Sequence, residues 1–322
     1  MAQLNFLEIL QFIYNSLVFP GLLFASVIGL LYIGIDRKVT GHLQHRIGPP
    51  IWQEFLDFGK LMTKEDITPA AAIKPVFVGA PLLALGSLAA VMLLLPVASA
   101  QPSLRLTADI IVIIYLLNIP AISMILGGYS SGSPFAIAGA GRYIVQLLGY
   151  EFVFILSIAT IAVKVGTLNL TDIISYQTAN GWLLLDWKLL PAIVATLIAA
   201  QGKLLRAPFD IPEAETEIVA GPLTEYSGPK LAIWRTAYNV ETIAVAALLV
   251  SLFLGGPTPY TFGNIQIPAI VDFLIKTFLI VMLTTVVRNI VARVRIDQAL
   301  KFYWTFGVLL AVISMILVMV VP

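Results

Sequence analysis

The chain has 322 residues, of which 59% are hydrophobic and only 11% charged, with a formal net charge of +1. A soluble protein of this length exposes far more charge, so the composition excludes a water-borne globular domain. The near-neutral balance also excludes a basic surface for nucleic acid. With no cysteine, the chain offers no disulfide, no thiolate nucleophile and no thiolate ligand for an iron–sulfur cluster. Any redox cofactor belongs to a partner.

The opening stretch lacks the basic segment of a signal peptide, and its apolar run is too long for one, so it reads as a first membrane span. Crossing the hydrocarbon core takes roughly 20 mostly apolar residues. On that criterion the fold is all-α, with about eight transmembrane helices in a single membrane domain, 1–322. The spans lie near Tyr14–Ile35, Val76–Ala98, Ile110–Gly128, Ile144–Val165, Leu189–Leu205, Val240–Leu254, Ile270–Val291 and Phe302–Val320. Three polar connections, approximately 36–75, 203–238 and 288–301, together with Arg142 hold 15 of the 19 Lys and Arg residues. By the positive-inside rule those connections face the cytoplasm and both termini face the other side of the cell membrane. No tandem repeat of the kind that builds many secondary transporters is visible.

The first connection reads "GIDRKVTGHLQHRIGPPIWQEFLDFGKLMTKEDITP". After Gly48-Pro49-Pro50 a helical pattern resumes, with Trp52, Phe55, Leu56 and Thr63 on one face and Asp57, Lys60 and Lys64 on the other. Such a helix lies on the membrane surface or under a partner, unless its charges are only a solvated face. His42 and His45 could share a helix face, but two histidines without further ligands are a weak metal signal.

The second connection, "RAPFDIPEAETEIVAGPLTEYSGPK", crowds five acids between apolar spans: Asp210, Glu213, Glu215, Glu217 and Glu225. Asp210 to Glu213 matches a capping box with proline in the first turn, which is a structural explanation for both acids. On a continuing helix Glu213 and Glu217 would share a face. Neighbouring carboxylates in a low-dielectric setting hold protons near neutral pH, as a proton relay requires. A solvated loop held by Arg206 and Lys230 is the competing reading. Within the fourth span, Glu151 should face protein or water rather than lipid, since a central carboxylate costs on the order of 3 kcal/mol. For Lys276 and Glu241, near the starts of their spans, snorkelling to the interface and a functional role are both open.

Four segments together carry a resemblance. "DRKVTGHLQHRIGPP" followed by "DFGKLMTKE", the acidic connection, "RVRIDQALKFYW" and "RYIVQLLGYE" resemble, in the same order, segments of the H-subunit family of complex I membrane proteins. That family includes mitochondrial subunit 1 and relatives in membrane-bound [NiFe] hydrogenases. Asp36 stands where quinone-reducing members usually carry Glu. "GPLTEYSGP" stands where they read closer to "GYNVEYSG". The latter resembles the hydrogenase branch, including formate hydrogenlyase and archaeal hydrogen-evolving complexes.

The resemblance implies a membrane anchor and coupling subunit of a large, energy-converting hydrogenase complex in the respiratory chain, inert as an enzyme alone. Its partners would be the large and small subunits of the peripheral hydrogenase, an iron–sulfur subunit, antiporter-like membrane subunits and the lipid bilayer. No cofactor is implied in this chain; [4Fe-4S] clusters and a NiFe site would sit in the partners. Glu151, Asp210, Glu213, Glu215, Glu217 and Glu225 would couple electron transfer to proton or sodium movement. Asp36, Arg37, Lys38, Arg46, Asp57, Lys64, Glu65, Arg206, Arg295 and Asp297 would dock partners or form the charge network around them. The corresponding subunit of a quinone-reducing complex I, with a bound quinone, and that of a sulfane-sulfur reductase are alternatives. A standalone ion transporter is an alternative of another class.

The charge asymmetry generates a direct test of orientation. In this cysteine-free chain, single cysteines at Gln3 and Pro322 are expected to react with an impermeant thiol reagent from the non-cytoplasmic side. Labelling of both from the cytoplasmic side alone would overturn the topology.

Overall fold

The structure is a computed structural model and describes residues 6–262 and 265–320, so Gln3 and Pro322 lie outside the described residues. Helix dominates because lipid offers no partner for backbone N–H and C=O groups, which must be satisfied within each segment. The first span is broken into α1 (Phe6–Leu17) and α2 (Leu22–Leu43). The amphipathic α3 (Gln53–Thr63) follows the Gly-Pro-Pro break. α4 (Lys74–Leu94) crosses back. The third span is interrupted at Leu117-Asn118, giving α5 (Asp109–Leu116) and α6 (Ile119–Ser130).

α7 (Pro134–Val165), at 32 residues, is longer than a bilayer core requires. The short α8 (Leu170–Asn180) precedes α9 (Leu190–Lys203). The acidic connection contributes only the four-residue α10 (Glu215–Ile218) between two 3-10 turns, Ile211–Glu213 and Gly221–Leu223. α11 (Gly228–Phe253), a small antiparallel hairpin of β1 (Tyr260–Phe262) and β2 (Ile265–Ile267), and α12 (Ala269–Ile290) come next. The chain closes with α13 (Ile296–Phe302), a π turn over Tyr303–Gly307, and α14 (Val308–Val320).

Among the described residues, seven helical segments are long and apolar enough to cross a membrane, and α9 is a shorter apolar helix at the place of the fifth expected span. Contacts between helix ends show that the crossings alternate. At one end, Ile73 at the start of α4 donates its N–H to Ser130 at the end of α6, and Val294 after α12 donates to Pro208 after α9. At the other end, Ile110 donates to Leu168, and Gly255 donates to the Gln177 side chain. The four basic residues outside the main set gather at this second end. There Arg105 pairs with Asp172, Lys164 with Asp186 and Lys276 with Asp272, while the Lys188 carbonyl accepts from Ser314.

The sixth span begins well before the expected Val240. Gly228-Pro229 starts α11 with proline in its first turn, and α11 becomes the central helix, packed by α2, α3, α4, α8 and α12. Lys230, Arg235, Asn239 and Glu241 lower its hydropathy; Lys230, Asn239 and Glu241 are buried in the bundle, and Arg235 is exposed at the cavity wall. Glu241 therefore lies mid-helix, 3% exposed, and does not snorkel. Lys276 does not snorkel either: its ammonium is 2.7 Å from Asp272 and donates to the Gly256 carbonyl, over the Trp182 ring.

Two local expectations, at His45 and Asp210, are corrected, and α3 turns its apolar face outward. His45 follows the end of α2 with a φ of 53°, so it shares no helix face with His42. On α3, Trp52 (65% exposed) and Leu56 (58%) point away from the bundle. Its inward face carries Glu54 and Asp57, which hold Arg37, beside buried Leu61. Arg37 organises that face, and apolar burial is secondary. Asp210 makes no side-chain cap, because its carboxylate is taken by Arg293.

The acidic connection is held compact by Gly221, which has a φ of 52°. A β-carbon there would collide with the Pro212 carbonyl oxygen, which joins the two 3-10 turns back to back. Gly221→Ala is expected to cost on the order of 1–2 kcal/mol for the left-handed backbone alone, with the collision added. Limited proteolysis should then cut within 204–227 much faster than in the parent chain, and an unchanged cleavage rate would contradict this account.

Candidate functional site

A cavity of about 770 Å³ opens at the basic end, between the end of α2, the loop after α9, the first half of α11 and the end of α12. Its walls carry five arginines (Arg37, Arg46, Arg206, Arg235, Arg288) and four carboxylates (Asp36, Glu54, Asp210, Glu213). Asp36 is 1% exposed at the end of α2, with Arg288 at 3.3 Å and Arg206 at 4.0 Å. Arg206 donates to Thr284 at 2.8 Å. Burial pushes the Arg206 guanidinium down to about 10; Asp36 opposes that shift and Arg288 adds to it. It remains a cation at physiological pH.

Glu213 faces this cavity and accepts a hydrogen bond of 2.5 Å from the Tyr238 hydroxyl on α11. One turn further along α11 is Glu241, whose carboxylate lies within electrostatic reach of Lys203 and Glu151. Lys203, at the end of α9, has a side chain 1% exposed. It donates to Glu151 at 3.1 Å and to the Asn118 side chain at 2.6 Å, and Asn118 in turn donates to Glu151 at 2.7 Å. The ammonium also lies 5.3 Å from the Tyr150 ring centre and 5.4 Å from that of Phe154, a favourable place for a desolvated cation. The break between α5 and α6 places Asn118 at this depth. Between the open cavity and the Glu151–Lys203 pair lie Glu213 and Tyr238, joined by a hydrogen bond, and Glu241 one turn further on, whose Oε1 has no hydrogen-bond partner among the described residues. Such a sequence of acids, a phenol and a base can move protons or polarise one another.

The other candidate residues fall in distinct places. Asp210 is held by two hydrogen bonds from Arg293, at 2.8 and 2.7 Å. Glu217 is exposed and pairs with Arg142 on α7. Ala214 breaks the backbone between the 3-10 turn and α10. Glu213 and Glu217 therefore do not share a helix face: one turns inward and the other outward. The side chain of Glu215 lies outside the described residues. Glu225 is half-buried and makes no ion pair among the described residues. Asp57 is drawn into the Arg37 cluster. Burial would raise its carboxyl, but hydrogen bonds from Gln53 and Arg37 outweigh that and hold it below the usual range. Lys38, Arg46, Lys64 and Glu65 stand at the basic end without ion pairs among the described residues, and Arg46 overhangs the cavity. Arg295 and Asp297 line a smaller cleft of about 230 Å³ with Arg142 and Arg293.

Reading the sequence missed Lys203 as the partner of Glu151, Asn118, Tyr238 and the depth of Glu241. Gly228-Pro229 is the signal that would have located the last two, because proline in a first turn marks a helix start. Among the described residues, no group of three or more His, Asp or Glu side chains is arranged to hold a metal ion.

The family model described as NADH dehydrogenase matches residues 17–319. The chain belongs to the NADH dehydrogenase family. The NADH-quinone oxidoreductase H-subunit of Geobacillus kaustophilus is 35% identical, the match covering 93% of this chain and 92% of the relative. Its counterpart of the same name in Brevibacillus brevis is 34% identical over 93% and 91% of the two chains. Among solved structures, a chain of the membrane-bound sulfane sulfur reductase, an archaeal respiratory membrane complex, superposes with a TM-score of 0.86. It is 28% identical, over 95% of this chain and 99% of that one. As a family member, this chain is a multi-pass membrane subunit of a complex I-like respiratory complex.

Proposed function

We propose that the chain anchors a peripheral redox module at its basic end and couples electron transfer in that module to proton or sodium movement in the membrane. The observation that carries this reading is the line from the cavity through Glu213, Tyr238 and Glu241 to Glu151 and Lys203. A charge change at the cavity would alter the proton affinity of each next group, because the path is buried and weakly screened. At the cavity wall Arg206 and Arg288 hold Asp36, and Arg37 holds Glu54. Docking falls to the basic end, where the outward apolar face of α3 and the exposed cations Lys60 and Lys64 can meet a partner.

For the module itself we infer a [NiFe] hydrogenase, with its large and small subunits, an iron–sulfur subunit and antiporter-like neighbours. The support is the stretch Gly221–Pro229, which resembles that branch, and a cavity wall rich in charge where a quinone ring and tail favour apolar contacts. Quinone reduction is the second reading, favoured by the names of relatives at 34–35% identity. The named activity of the structural neighbour makes sulfur reduction a third. Identifying the large subunit that copurifies, and the acceptor the complex reduces, decides among the three.

The coupling role is tested by Glu151→Gln, which keeps size and hydrogen-bonding capacity but removes the charge. The expected outcome is an assembled complex with intact partner clusters whose ion pumping per complex falls at least tenfold. Normal specific turnover and a normal ion gradient would remove the relay role. If the pair were only structural, thermal stability would drop first and activity would track the protein lost, since Lys203 would stay buried without its counter-charge.

Docking is tested by Lys60→Glu combined with Lys64→Glu. The peripheral module is expected to dissociate at moderate salt while this chain stays in the membrane. Retention at high salt would reduce α3 to a solvated face.

A further inference from the structure

The last span departs from α-helical geometry at one place, the π turn over Tyr303–Gly307. One extra residue in a turn weakens local hydrogen bonding and re-aims the side chains that follow, so such turns need a compensating contact. Here the compensation is Tyr303. Its ring is 0% exposed and enters a slot between α7 and α9. Two glycines form that slot. A β-carbon at Gly202 would collide with the Tyr303 hydroxyl and lie 3.0 Å from its Cζ, and one at Gly149 would lie 3.0 Å from its Cδ2. These glycines are next to the pair described above: Gly202 immediately precedes Lys203, and Gly149 is two residues before Glu151. The Tyr303 ring also meets the Tyr150 ring edge-on, at 6.5 Å between centres.

The other side of Tyr303 meets the acidic connection. The Phe209 ring lies 4.6 Å from it, centre to centre. Phe209 leads directly into Asp210, which Arg293 grips through two hydrogen bonds, and Val294 donates its N–H to the Pro208 carbonyl. Arg293 and Val294 belong to the linker that runs into α13 and on to Tyr303. The loop at 208–210, that linker and the Tyr303 ring thus form a closed mechanical circuit, and its inner end bears on the backbone beside Lys203 and Glu151. Gln146 steadies the same junction, donating to the carbonyls of Gly202 and Phe209 at 2.9 and 2.7 Å.

We propose that Tyr303, aimed by the π turn, is the positioning residue that transmits displacement of the Phe209–Asp210 loop to the Lys203–Glu151 pair. A protein interior is close-packed, so a ring wedged between two backbones moves them when it is pushed. The ring, rather than the hydroxyl, carries this role. Tyr303 touches neither reacting group; it sets the distance between the helices that carry them. The inference rests on the coupling reading above.

The test uses the whole complex in inside-out membrane vesicles. Reduced methyl viologen serves as donor, and protons, a quinone and colloidal sulfur are all offered as acceptors. Donor oxidation and ion uptake, read with a proton-sensitive dye and with labelled sodium, give ions moved per electron in each assembled complex. Tyr303→Ala is expected to lower that ratio at least fivefold while donor oxidation continues, and Tyr303→Phe to leave it within twofold of the parent. Gly202→Ala should lower the ratio by driving a methyl group into the hydroxyl. Adding Tyr303→Phe to Gly202→Ala should recover at least half of the loss, because removing the hydroxyl leaves only the close approach to Cζ.

Parent-like coupling in Tyr303→Ala, or a double variant no better coupled than Gly202→Ala alone, would overturn the proposal. If Tyr303→Ala fails to assemble, the Gly202 pair still decides. Glu151→Gln run in parallel separates the two ideas. Loss of pumping there with parent-like Tyr303→Ala removes only the positioning role, whereas full pumping in Glu151→Gln removes the coupling reading on which it rests.

Discussion

A lysine ammonium pressed against a carboxylate inside a helical bundle is the interaction around which this molecule is arranged. Taking both charges out of water costs several kcal/mol each, and their mutual attraction offsets this only with good geometry and further hydrogen bonds. Lys203 and Glu151 obtain those bonds from Asn118, which gives one bond to the carboxylate and takes one from the ammonium. Two aromatic faces complete the shell around the cation. Several departures from regular helix follow from that need. The third span breaks at Asn118, and α9 ends at Lys203 so that its last side chain reaches across to α7.

The same economy of charge explains the basic end. Asp36, buried at the end of α2, is met by arginines from two other elements, and Asp210 by a third from the α12–α13 linker. These ties join connections far apart in the chain into one platform. A solvated ion pair contributes little to stability; Asp36 and Arg206 are buried, whereas the Asp210–Arg293 pair is partly exposed. On the proposed coupling role, this platform is where a charge or a shift at the cavity would enter the path along α11.

The backbone of this chain superposes closely on a subunit of an archaeal respiratory complex at 28% identity, and its sequence is nearer to relatives named for quinone reduction. One scaffold thus stands beneath relatives named for different redox reactions. A fold of this kind does not specify the chemistry of the module docked upon it. What is shared with these relatives is the membrane scaffold.

Most of the architecture was legible in the sequence, because lipid demands long apolar helices and the translocation machinery sorts basic residues to one side. Hydropathy was enough to place most of the spans, and the start of the sixth was the exception. The five acids and Glu151 were visible as exceptions to an apolar background. Their pairings were not legible. Hydropathy averages over a window, so the polar residues of α11 read as a connection when they belong to a central helix that never meets lipid. Helical spacing put Glu213 and Glu217 on one face, but the backbone turn at Ala214 sends one toward Tyr238 and the other toward Arg142. Charge and apolarity are properties of single residues and survive any arrangement of the chain. Which acid meets which base depends on helices brought together from distant parts of it, and only the packed bundle decides that.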